Sequence, residues 1–133
     1  MIAVGAGDLQ RMKPEGQRDA VAERVAQNDA FFRDGNERIH DAAASMQVEE
    51  SALLPFLCEC AQVDCTTVVQ LTSSEYEAVR RDPTHFINAA GHVVNAQGWA
   101  RVVEERDRYT IVEKIGDAAD VAVELDPRGG VAG

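Results

Sequence analysis

Three cysteines fall within one eight-residue stretch, Cys58-Glu59-Cys60-Ala61-Gln62-Val63-Asp64-Cys65, and no other feature constrains this chain as strongly. Three thiols cannot all pair within one chain, so a disulfide framework is disfavoured and a reducing, cytoplasmic setting is expected. The opening residues, Met1 to Asp8, lack the basic start and the apolar length of a secretory signal. Clustered thiolates repel one another unless a cation sits among them, and zinc takes four nitrogen or sulfur ligands in a tetrahedron. Cys58 and Cys60 stand at i,i+2, on one side of an extended chain. The residues between Cys60 and Cys65 suffice for a loop that returns the third thiol. An apolar run, Leu53 to Leu57, precedes the cluster and a β-branched run, Thr66 to Val69, follows it, so the site is expected at the edge of a small sheet. Free cysteines are common core residues, but Glu59, Gln62 and Asp64 do not read as part of a buried apolar run.

A structural zinc ion needs a fourth ligand, and the histidines are His40, His85 and His92. His92 follows Gly91, which permits a tight approach, and it lies after the cysteines in the strand-rich half. His85 follows Pro83 closely and is placed to cap the end of a preceding helix. His40 lies inside a helical segment, where a histidine is most often a satisfied surface residue. Asp64 or Glu59 would add negative charge that three thiolates do not need. These considerations favour His92 and leave the others open.

The remainder of the chain reads as α+β: a long N-terminal helix, then a small zinc-stapled antiparallel sheet with two short helices. Residues 1–14 read as a flexible leader, 15–50 as the N-terminal helical segment, 51–128 as the small zinc-binding domain and 129–133 as a flexible tail. The helical segment has no proline, and Val21, Val25, Phe32, Ile39, Ala43 and Met46 recur as an apolar stripe. One helix is expected, or two joined near Gly35. Thr66 to Leu71 reads as a strand. Thr72 and Glu75 have capping-box spacing for a helix that Asp82-Pro83 stops. Phe86-Ile87 opens another extended piece. Val102-Val103 and Tyr109 to Val112 read as a hairpin across Arg106 to Arg108, with a helix from Trp99 as the competing expectation. Asp117 is expected to cap a last helix with Ala118, Val121, Ala122 and Leu125 on one face. The chain has 133 residues and only 5% aromatic side chains, so its core is expected to be small, mostly aliphatic and in need of a staple.

Phe56-x-Cys-Glu-Cys60, Asp64-Cys65, Leu71-Thr72, Glu75-Tyr76-Glu77-x-Val79-Arg80, Asp82-Pro83-x-x-Phe86, Gly91-His92, Val102-Val103-Glu104, Tyr109-x-x-Val112-Glu113-Lys114 and Asp126-Pro127-Arg128 form one pattern. It resembles that of a family of short uncharacterised proteins widespread in actinobacteria, over roughly residues 31–128. The resemblance implies a Cys₃His ligand set of Cys58, Cys60, Cys65 and His92, and it implies no activity.

No phosphate-binding glycine loop, nucleophile elbow, H-E-x-x-H or dinucleotide fingerprint is present. Glu49-Glu50 and Glu104-Glu105 are adjacent pairs, which on a strand face opposite ways. The expected function is therefore that of a non-catalytic regulatory or scaffolding protein-interaction module. Zinc is its structural cofactor, and the partner is another protein or a second copy engaged through the N-terminal helix. The alternatives are a redox-sensing zinc–thiolate switch, which solvent access to Cys60 would favour, and a zinc hydrolase, which needs an open coordination position. No run reaches membrane-spanning length. A net charge of −10 with no basic stripe sets the chain against nucleic acid and anionic membranes. Gel shifts at micromolar protein and physiological salt should show no DNA or RNA binding; a salt-dependent shift would refute that expectation.

Overall fold

The computed structural model describes residues 19–60, 62, 64–92 and 98–128. The expected leader at 1–14 and tail at 129–133 lie outside the described residues. Helix α1 spans Ala20–Ser45. Strands β1 (Leu53–Leu57) and β2 (Val68–Thr72) follow, then helix α2 (Ser73–Arg80) and strand β3 (His85–Asn88). Strands β4 (Ala100–Glu105) and β5 (Thr110–Lys114) lead into helix α3 (Gly116–Glu124). The fold is α+β. β1 and β2 form an antiparallel pair, and β3, β5 and β4 form an antiparallel sheet in that order.

Local sequence explains most of these elements. Asp19 caps α1 by accepting from Val21 N and Ala22 N at 2.8 and 3.1 Å. Thr72 and Glu75 close the capping box of α2, with Thr72 Oγ1 and Glu75 Oε1 accepting at 3.1 and 2.8 Å. The β4–β5 hairpin sets Val102 opposite Val112, so the competing helix from Trp99 is not formed. Asp117 is not a cap. The N-cap position of α3 is Ile115, which makes no side-chain cap, and Asp117 sits in the first turn, where Oδ2 accepts from Asp19 N at 2.9 Å. Its carboxylate therefore joins the starts of α3 and α1. Of the face expected on α3, Ala118, Val121 and Ala122 are buried and Leu125 is exposed.

Of the two alternatives expected for α1, a single helix is formed and two helices joined near Gly35 are not. The helix runs unbroken through Gly35, because that glycine serves close packing: a Cβ there would meet Leu57 Cδ1 at 3.0 Å. Ile39 and Ala43 of the apolar stripe pack against the main core, but over the first half of the helix the buried face is offset by one residue from that stripe. Val21 and Met46 are exposed, whereas Ala22, Ala26, Asp29, Ala30, Arg33 and Asn36 are buried. Small Ala22 and Ala26 admit α3 closely, through Ala118 and Val121.

The main core lies under β1, β2 and α2. It is aliphatic by number, but aromatics centre it: Phe56 stacks on Tyr76 with ring centroids 4.4 Å apart. The polar residues of α1 anchor the other half. Arg33 donates to Pro83 O at 2.6 Å and Ala122 O at 2.8 Å, and its guanidinium lies over the Phe86 ring. Asp29 is in ionic contact with Lys114 from β5, and both are buried. Burial raises the Asp29 carboxyl to about 6, against the lowering influence of Lys114.

Lys114→Met should strand Asp29 and cost about 3–5 kcal/mol at neutral pH, as removal of one partner of a buried pair does. A carboxyl whose folded pKa lies above its unfolded value favours folding in acid and loses that contribution as pH rises through the folded value, here from 3.8 towards about 6. The deficit of the variant, measured by urea unfolding, should therefore be largest above pH 6 and smaller at pH 5. Equal deficits at both pH values would refute it.

Candidate metal centre

The two-stranded sheet and β3 position the candidate ligands. Cys58 directly follows β1 and continues its ladder, with Cys58 N donating to Thr67 O at 3.0 Å. Cys65 returns on a turn in which its N donates to Gln62 O at 3.1 Å. His92 comes from the turn after β3, where His92 N donates to Ala89 O at 3.0 Å and Asn88 Nδ2 to His92 O at 3.3 Å. Gly91 has φ +82°, a backbone form that side chains resist, and this lets the turn close.

The outcome is that Cys58, Cys60, Cys65 and His92 each offer one ligand atom, all within 4.8 Å of one another. Nδ1 of His92 lies 3.5 Å from Cys58 Sγ and 3.6 Å from Cys65 Sγ. These four side chains can hold a metal ion. The other histidines are committed elsewhere. His40 Nε2 meets Ser73 Oγ at 3.0 Å, and His85 Nε2 lies 3.4 Å from both Asp82 and Glu113. Asp82, His85 and Glu113 make a second, more exposed group of potential ligands.

Cys58 and Cys60 are buried, and Cys65 is half-buried. Burial, with repulsion from the neighbouring thiols, pushes Cys58 well above the ordinary thiol range and raises Cys60 as well. Burial also acts to raise Cys65. There it is outweighed by hydrogen bonds with Thr67, Cys60 and His92, which bring Cys65 down to about 7. Without a cation, three ionised thiolates are disfavoured at such a site; a divalent ion reverses that preference. One side opens to a cavity of about 450 Å³, lined by Gln62, Asp64, Cys65, Thr66, Thr67, Gly91 and His92.

Sequence reasoning missed Asn36, and it weighed Glu59 only as a fourth ligand and did not expect it to be buried. Glu59, between two ligands, is fully buried and points away from them. Its Oε1 accepts from Ile87 N at 2.9 Å and its Oε2 from Asn36 Nδ2 at 2.7 Å, while Glu59 N donates to Ile87 O at 2.7 Å. Asn36 also holds Leu57: Oδ1 accepts from Leu57 N at 2.7 Å and Nδ2 donates to Leu57 O at 2.9 Å. Burial raises the Glu59 carboxyl to about 7 against these bonds. Asp29, Arg33 and Asn36 at i, i+4 and i+7 were the available signal, but on a helix that spacing equally describes a solvated face.

No protein-family model, curated protein or solved structure matches the chain.

His92→Ala should weaken metal retention far more than His40→Ala or His85→Ala. Asn36→Ala, which removes no ligand, should lower affinity by about 10–100-fold, as loss of a residue that orients ligands does. Titration with Co²⁺, followed by its thiolate charge-transfer band, measures both. Equal affinities across the three histidine variants would remove His92 from the site.

Proposed function

We propose that the chain is a small zinc protein in which the ion serves as a structural staple. The observation that carries this reading is the sulfur–nitrogen spacing. In a tetrahedron with Zn–S of about 2.3 Å and Zn–N of about 2.0–2.1 Å, a sulfur and a nitrogen stand about 3.5–3.6 Å apart. The distances from His92 to Cys58 and Cys65 are 3.5 and 3.6 Å. The donors are soft and borderline, the set that selects zinc over magnesium or calcium. With zinc bound, four protein ligands complete the coordination and leave no position for a reacting water, which speaks against a hydrolase. On this reading the likeness to short actinobacterial proteins extends to a shared ligand set.

The role that fits such a staple is that of a non-catalytic interaction module, regulatory or scaffolding, working in a reducing cytoplasm. Its partner surface is the outer side of α1. Val21 and Phe31 of α1, with Met46 just past its end, fall on one side and are 46%, 73% and 74% exposed. Among the described residues no helix is long and apolar enough to cross a membrane.

Elemental analysis of protein purified without added metal should give about one zinc per chain. Chelation should lower thermal stability strongly and expose the backbone of residues 53–92 to hydrogen exchange. The middle of α1, held to the knuckle by Asn36, should lose protection with it. A metal-free chain that keeps its protection would defeat the structural reading. Phe31→Asp should leave zinc content unchanged while reducing self-association in sedimentation velocity, or capture of a protein partner; no change in either would remove α1 as the surface.

A further inference from the structure

The three thiols differ in their access to solvent. Cys58 and Cys60 are each 1% exposed, whereas Cys65 is half-buried and lines the cavity of about 450 Å³ beside His92. A small oxidant entering that cavity meets one sulfur. Cys58 is also the most restrained, since its Sγ accepts from Ala89 N at 3.1 Å and its backbone is tied to Thr67. The candidate ligand sulfurs lie within 4.8 Å of one another, which puts Cys60 within reach of Cys65. Solvent access to Cys60 would have favoured a redox role in the simplest way, and Cys60 is closed. The accessible thiol is its neighbour.

We propose that Cys65 is an oxidation site for small peroxides, with Cys60 as the thiol that resolves it. The proposal rests on the structural zinc reading, because it describes how that same site is released. In the first step the Cys65 sulfur attacks the peroxide. An S–O bond forms, the O–O bond breaks, and the sulfur gives two electrons to the departing alkoxide or hydroxide, which takes a proton from solvent. In the second step the Cys60 thiolate attacks the Cys65 sulfur. An S–S bond forms, the S–O bond breaks, and hydroxide leaves and is protonated to water. Two ligands are then tied up in a disulfide. Cys58 and His92 alone cannot retain the ion, and the clamp from Glu59 to Asn36 loses its fixed base.

The test uses the full zinc-loaded chain with hydrogen peroxide and with a bulky alkyl peroxide. Zinc is measured before and after with a chromophoric chelator, and thiols are mapped by differential alkylation and mass spectrometry. The expected result is about one zinc released per disulfide formed, a Cys60–Cys65 linkage, and a Cys58 that remains alkylable after the metal leaves. Thr66→Trp, which narrows the cavity mouth and removes no ligand, should keep its zinc and slow release by about fivefold, with the bulky peroxide affected more. Zinc that stays bound with all thiols intact under excess peroxide would overturn the proposal, as would a first disulfide that includes Cys58. A chain that carries no zinc before oxidant is added would instead defeat the structural zinc reading, and this proposal with it.

Discussion

The clamp between Asn36 and the chain around Leu57 and Glu59 holds the two halves of this protein together. One amide side chain satisfies the N–H and C=O of Leu57 as a neighbouring strand would, and also donates to Glu59. Glu59 then passes the connection to β3 through Ile87. The cysteine knuckle is thereby fixed to a long helix on one side and to the three-stranded sheet on the other. His92 lies just beyond β3, so the same connection fixes where its imidazole can stand. Buried polar groups that are all satisfied specify a single arrangement, because any slip leaves a donor or acceptor stranded.

Ionic groups do comparable work deeper in the fold. Arg33, Asp29 and Lys114 fill space between α1, β5 and α3 that apolar side chains would otherwise occupy. Arg80 meets Asp126 at 2.5 Å, and Arg128 bridges Glu37 and Glu77, so the segment after α3 is tied across α1 and α2. Such pairs add little net stability over an apolar core, but breaking one is costly, because a buried charge is left alone. A chain with few large apolar side chains thus gains a defined packing from pairs that tolerate only one register.

The candidate metal centre joins a closed side to an open one. Cys58 and Cys60 belong to the interior, on either side of the Glu59 that hydrogen-bonds Asn36 of α1, while Cys65 and His92 face the cavity. An ion held by these four side chains would connect the stability of the interior to events at the surface. On the proposed reading, the sulfur most able to meet a small oxidant is also one of the four ligands.

The local elements and the concentration of thiols were legible in the sequence. Capping at Thr72 and Glu75, the strand character of Val68 to Leu71, the hairpin at Val102 and Val112, and the concentration of thiols at 58, 60 and 65 all arise from short-range chemistry that spacing reveals. His92 could be favoured over His85 and His40 from its position after Gly91. Long-range contacts settle which face of α1 is buried, why Gly35 does not interrupt it, that Asp117 joins two helices instead of capping one, and that Glu59 turns inward. Those outcomes depend on partners far along the chain: Leu57 for Gly35, Asp19 for Asp117, Asn36 and Ile87 for Glu59. A charged residue reads as solvated until the group that neutralises or hydrogen-bonds it is known, and that group is supplied by folding.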